Sequence, residues 1–151
     1  MTARQRITKR SRVYQGHVFD SRDEMERYID LRCREIRGEI SSLHIHVRFQ
    51  ILPQRTGWRK KQLKTKVKMV PYIIETARHY SCDFLYIDNT IGAIVVEDVK
   101  SSFTKGFTDY SLRRACMVNV MLNHMDHRPN SRRWIFRECE VKKNSFKTKD
   151  R

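Results

Sequence analysis

The segment from Arg78 to Lys100 most narrows what this chain can fold into. RHYSCDFLYI (78–87) reads as a strand, DNTIG (88–92) as a hairpin turn, and IVVEDVK (94–100) as the strand that returns. Ile94, Val95 and Val96 suit a buried central strand. Before the apolar run has ended come Glu97, Asp98 and, past Val99, Lys100. Side chains alternate along a strand, so Asp98 and Lys100 share one face, with Cα atoms about 6.6 Å apart. Glu97 points the other way with Val95 and Val99. Closing the hairpin over Asn89–Ile91 places Asp83 opposite Glu97 or Asp98. With an even number of loop residues, Asp83 and Asp98 become a direct cross-strand pair.

Two carboxylates so placed repel each other, and the sheet loses a few tenths of a kcal/mol or more. One of them can stay protonated, its pKa raised by its neighbour. A hard divalent cation such as Mg²⁺ can instead bridge them, since it prefers a few carboxylate oxygens plus waters and phosphate oxygens. Held there, it would polarise a phosphodiester and lower the pKa of an attacking water. Lys100 would stand beside it to orient that water or to neutralise charge developing on the phosphate. Plainer readings exist for each residue. Asp83 can be a salt-bridge partner of His79 or an arginine, and Lys100 the charged end of a strand or an ion pair with Asp98. Glu97 faces away and is expected to make a supporting hydrogen bond or to meet solvent.

The rest of the chain arranges itself around this hairpin. Ser21-Arg22-Asp23-Glu24 is a capping box that opens a helix, and Met25, Tyr28, Ile29, Arg32 with Cys33, and Ile36 recur at helical spacing up to Gly38. Glu24 most simply closes that box. HIHVRFQIL (44–52) reads as a strand ended by Pro53. A second helix is expected from about Asp109 to Met125, with Leu112, Ala115, Cys116, Val118, Met121, Leu122 and Met125 on its apolar side, then a last strand, RRWIFRECEV (132–141). Helix, three strands, helix, strand is an α+β or mixed α/β order. One domain is expected over 13–141, after a basic arm at 1–12 and before a basic tail at 142–151.

Residues 54–76 form a basic insertion, read as a loop or a twisted hairpin. Arg55, Arg59, Lys60 and Lys61 crowd around Trp58, and an aromatic among cations suits stacking on an unpaired base. The same sign runs through the whole chain. Its 32 Lys and Arg against 17 Asp and Glu give +15, which points to a polyanion, nucleic acid foremost. Length also fits, since 151 residues can bury about two-thirds of the unfolded surface. Cys33, Cys82, Cys116 and Cys139 form no C-x-x-C pair and are expected to be buried free thiols in a reducing cytoplasm. With no apolar run of membrane length and no leader-like N-terminus, neither a membrane span nor a signal peptide is expected.

An acid on one strand, a hairpin, then Asp98-Val99-Lys100 on the next resembles the PD-(D/E)xK nuclease superfamily, although no proline precedes Asp83. The element order resembles its αβββαβ, restriction-endonuclease-like core. FDSRDEMERY (19–28), RGEISSL (37–43), CDFLYI (82–87) and VVEDVK (95–100) resemble more narrowly the small phage-encoded nucleases related to endonuclease I, of the Holliday-junction-resolvase type. The likeness spans roughly Phe19 to Arg114, and the stretch between Pro53 and Arg78 is longer than in that family. What it implies is a Mg²⁺- or Mn²⁺-dependent endonuclease of DNA recombination, acting on branched DNA as a homodimer in the host cytoplasm. It implies that Asp83, Asp98, the Val99 carbonyl and Glu24 hold the metal, that Lys100 acts on the nucleophile, and that Arg113 and Arg114 meet phosphates. A non-catalytic nucleic-acid-binding protein on such a scaffold, or a duplex-cutting or nicking enzyme, is the alternative.

Overall fold

The computed structural model describes residues 12–128 and 130–151. Its elements run β1 (Val13–Tyr14), β2 (His17–Val18), α1 (Arg22–Ile36), β3 (Ile40–Leu52), β4 (Arg55–Gln62) and β5 (Val67–Glu75). They continue with β6 (Arg78–Asp88), β7 (Ala93–Val99), α2 (Ser102–Lys105), α3 (Thr108–His127), β8 (Trp134–Lys142) and β9 (Ser145–Asp150). Five strands form one mixed sheet in the order β3-β6-β7-β8-β9. All neighbours are antiparallel except β7 and β8, which run parallel. A parallel pair needs a crossover connection, and α3 supplies it. The fold is mixed α/β, a central sheet flanked by helices.

Two apolar clusters lie against this sheet. On one side Tyr28 and Leu31 of α1 pack with Phe19, Ile40, Phe84, Tyr86 and Val95. On the other, Met117 and Met121 of α3 pack with Tyr80, Cys82, Val96 and Phe136. Helix α1 starts where Ser21 Oγ accepts from the Glu24 N–H at 3.1 Å, and it ends before Gly38, whose φ of +76° suits glycine. Its buried face carries Glu24 and Arg27 beside Tyr28 and Leu31. In α3 the buried stripe is Tyr110, Met117 and Met121, while Leu112 and Leu122 of the expected apolar side are exposed.

Strand β3 changes sides midway. Leu43 and Ile45 pack on the α1 cluster, and Val47, Phe49 and Ile51 on the α3 cluster. Between them His46 has φ +51°, a left-handed backbone rare for a non-glycine residue. Strand β6 does the same: Tyr80 and Cys82 face α3, Phe84 and Tyr86 face α1, and Asp83 sits at the change.

Residues 142–151, expected as a basic tail, are instead the edge of the sheet. Asn144 turns the chain at φ +63°, and β9 pairs with β8 from Lys142–Ser145 to Arg137–Asp150. Arg137 fixes the end by donating to Asp150 from Nε and Nη2 at 2.6 and 2.9 Å. The arm expected over 1–12 lies outside the described residues, apart from Arg12. The basic insertion is a hairpin, β4 with β5, in a two-stranded sheet of its own. All four cysteines are free, but only Cys82 and Cys139 are buried; Cys33 is exposed.

Candidate active site

The pairings of β6 with β7 run from Asp88–Ala93 to Phe84–Glu97, and one further step sets Asp83 against Asp98. The backbone locks the two carboxylates there. The Val99 N–H donates to Asp83 Oδ2 at 2.7 Å, and the Asp83 N–H donates to Asp98 Oδ1 at 3.3 Å. The Tyr80 hydroxyl donates to Asp98 Oδ2. Lys100 Nζ lies 3.5 Å from Asp83 Oδ2 and 3.7 Å from Asp98 Oδ2. The other oxygen of Asp83, Oδ1, takes part in none of these bonds.

Burial and then the charge of Asp83 push Asp98 up to about 6, against the pull of Lys100 and Tyr80. Burial also raises Asp83, with Lys100 opposing it. For Lys100 burial acts downward, but the charges of Asp98 and Asp83 outweigh it and hold the ammonium above its ordinary value. Lys100 is therefore protonated at neutral pH, a donor and a positive charge rather than a base. Two ionised carboxylates against one ammonium leave one uncompensated negative charge in a buried place, and a cation would relieve it.

Glu24 stands close by, and the charge of Asp83 is a cause, after burial, of its raised pKa. Its oxygens are already engaged: Oε1 meets His46 Nε2 at 2.5 Å, and Oε2 accepts from the Asp20 N–H at 3.1 Å. It thus reaches one residue past the Ser21 N–H that a capping box would use. Among the described residues no three His, Cys, Asp or Glu side chains form a ready cage for a metal ion. Mg²⁺ does not require one, since one or two carboxylates with waters and substrate oxygens suffice. The adjacent hard carboxylates of Asp83 and Asp98 fit that mode, and Glu24 would have to release His46 to join them.

Glu97 is the first acid the eye meets in the motif, and it is fully buried on the α1 side. Arg27 clasps it, Nε to Oε1 at 2.6 Å and Nη2 to Oε2 at 3.0 Å, and the Tyr86 hydroxyl donates to Oε2 at 2.5 Å. Of the two expected roles, solvent exposure is excluded. Glu97 ties α1 to the strand that carries Asp98 and Lys100.

A titratable row crosses the sheet. His46 comes between the pairs Ile45–Phe84 and Val47–Cys82, against Asp83, and Asp98 lies beside Glu138, which lies beside Lys149. Sequence reasoning overlooks His46, Tyr80 and Glu138. The acids of RECE (137–140) on a strand are a visible signal for Glu138, but the bond of His46 depends on its left-handed backbone.

The expected nucleic-acid contacts fall in two places remote in sequence from the carboxylates. On the hairpin, alternation puts Trp58 and Lys60 on one face with Met69 and Pro71, and Arg55, Arg59 and Lys61 on the other. Trp58 is 66% exposed, while Arg59 lies over the Tyr72 ring at 5.7 Å. Gly57 leaves room for that Tyr72 ring, because a Cβ there would sit 3.0 Å from Tyr72 Cε1. On α3, Arg113 is exposed and pairs with Asp109 at 2.9 Å. Arg114 turns inward and donates to Glu138 at 2.7 Å.

Fold and site together define a mixed α/β domain in which the buried Asp98, the partly buried Asp83 and Lys100, just past the end of β7, meet at the centre of the sheet. The chain belongs to the family described as "Protein of unknown function (DUF1064)", which matches residues 4–139. No curated protein and no solved structure matches it. No helix among the described residues is long and apolar enough to cross a membrane.

Proposed function

We propose that this protein is a metal-dependent endonuclease that hydrolyses DNA phosphodiesters, leaving 5′-phosphate and 3′-hydroxyl ends. The observation that carries the reading is Asp83 beside Asp98 with Lys100 Nζ within 3.7 Å of both. Mg²⁺ or Mn²⁺, bound by Asp83 and Asp98, would polarise the phosphodiester and acidify a bound water. The chain does the positioning. Val99 N–H and Tyr80 hold the two carboxylates still, and Lys100 offers its protons to the phosphate or the attacking water. The Arg27–Glu97 clasp keeps α1, and with it Glu24, against the same strand.

The DNA is supported by the charge of +15 and by the projecting basic hairpin. Trp58, exposed on that hairpin, suits unpaired bases and so branched DNA, as for a phage resolvase of the Holliday-junction type. Two matched cuts in a junction need two sites, which a symmetric homodimer would supply. A binding protein without catalysis would explain the charge equally but gives no reason to set the buried Asp98 against a second, partly buried carboxylate.

The test is incubation with a four-way junction, a supercoiled plasmid and linear duplex in Mg²⁺ or Mn²⁺. Cleavage of the junction in preference to the duplex is expected, and the Asp98→Ala variant should not cut. A wild-type protein inert on every substrate with both metals refutes the enzyme. Cleavage by Asp98→Ala equal to wild type refutes the site.

A further inference from the structure

Beside the carboxylate pair the sheet edge holds a polar cavity of about 420 Å³, where α2, α3, β8 and β9 converge. Its floor is Glu138, which is almost fully buried. Arg114 donates to that carboxylate at 2.7 Å, Tyr110 at 3.1 Å, and Arg151 Nη2 lies 3.6 Å from its other oxygen. At the rim Lys105 Nζ stands 3.6 Å from Glu140. Register then sets Lys149 beside Glu138 and Lys147 beside Glu140, and the described ion pairs leave both lysines out. Five cations therefore face two carboxylates, an excess of three positive charges in one concavity.

Tyr110 joins this cavity to the candidate active site. Its ring lies 5.7 Å from Lys100 Nζ and 5.6 Å from the Arg114 guanidinium, and its hydroxyl reaches Glu138. Asp98, Glu138 and Lys149 lie in one row on neighbouring strands, so the cavity begins at Glu138, about 5 Å from Asp98 across the sheet, and Lys149 lies about 10 Å from it. A nucleic-acid strand bound at the carboxylate pair therefore brings a phosphate into reach of the cavity within a few nucleotides.

We propose that this cavity is a second anion site, which holds a phosphate group of the nucleic-acid strand alongside the carboxylate pair. That a nucleic-acid strand carries the phosphate rests on the nuclease reading; affinity for a small phosphate anion does not. The two glutamates act as positioning groups, holding Arg114, Arg151 and Lys105 around the space, while Lys147 and Lys149 supply the free donors. Ammonium and guanidinium groups converging on one anion form its strongest hydrogen bonds.

Calorimetric titration without divalent metal tests it, with inorganic pyrophosphate and with a short single-stranded oligonucleotide as ligands. Lys147→Gln with Lys149→Gln should weaken both by about tenfold or more. Both lysines are exposed, so the strand should survive, and Lys147→Arg with Lys149→Arg should restore binding. Lys64→Gln with Lys66→Gln removes equal charge from the exposed hairpin turn and should change pyrophosphate affinity less than about twofold. Equal weakening by the two Gln pairs, or none by either, overturns the site. Pyrophosphate binding that depends on Lys147 and Lys149 while oligonucleotide binding does not would assign free phosphate and overturn the nucleic-acid role. Failure of all cleavage would sink the nuclease reading and leave the pyrophosphate result standing.

Discussion

Replacing Asp98 by Asn should make the protein more stable and inactive at once. In the folded chain burial and Asp83 push the Asp98 carboxyl from an ordinary 3.8 up to about 6. At roughly 1.4 kcal/mol per tenfold change in proton affinity, ionised Asp98 destabilises the fold by about 3 kcal/mol. The folded state holds this proton more tightly than the unfolded state, so the penalty is absent below about pH 4. It grows as pH rises through 4 to 6 and is complete above that. Asn carries no charge and is nearly isosteric. Its Oδ1 can still accept from the Asp83 N–H, but Nδ2 would face Tyr80, whose hydroxyl must turn to accept, at a cost of about 1 kcal/mol.

The balance at pH 7.5 is a gain of about 2 kcal/mol, or roughly 4–8 °C in Tm for a chain of this size. Thermal unfolding in EDTA, followed by circular dichroism, measures it. At pH 4.5 the gain should vanish. Adding Mn²⁺ should raise the Tm of wild type and leave that of Asp98→Asn unmoved. Equal shifts at both pH values, or a destabilised variant at pH 7.5, would refute the claim that burial of the Asp98 charge, with repulsion from Asp83, is what a cation relieves. A stabilising change that removes function is the usual mark of a site built against stability.

Lys100→Ala should leave the fold intact and lower the junction cleavage rate by about 100-fold or more. Because Lys100 lowers both carboxylates, the rate profile of that variant should also move to higher pH. Glu97→Ala leaves the buried Arg27 with Asp30 as its one carboxylate partner and should cost about 3 kcal/mol in urea unfolding, whereas Arg27→Met with Glu97→Met should cost much less. Trp58→Ala should weaken binding to DNA with unpaired bases by about 1–3 kcal/mol in fluorescence anisotropy. An equal loss on plain duplex would contradict stacking.

The legible part of this molecule is what local rules decide. The turn at Asp88–Gly92 and the pairing from Asp88–Ala93 onward put Asp83 against Asp98 with no help from the rest of the fold. Alternation then separates Asp98 and Lys100 from Glu97. The identity of Glu97's partner is another matter. Arg27 lies 70 residues away, and on the sequence it reads as a helical surface cation beside Glu26 and Asp30. Only the packing of α1 on the sheet turns it inward. Strand β9 escapes for a related reason: SFKTKD is polar because it borders solvent, and edge strands hide behind such charges.

His46 shows most clearly where pattern reading stops. Periodicity states which side of a strand a residue faces only while the backbone stays extended. At His46 φ is +51°, and at that point β3 passes from the α1 cluster to the α3 cluster while its odd-numbered residues continue as the inward ones. The pattern of burial is unbroken, so nothing in the sequence marks the change. Beside it β6 changes sides at Asp83, and the two crossings coincide in one row. That shared twist takes Asp83 out of either apolar cluster and sets it where α1, through Glu24, and the end of β7, through Asp98 and the following Lys100, both reach it. The candidate site therefore owes its composition to hairpin alternation and its place in the sheet to a backbone distortion that alternation cannot express.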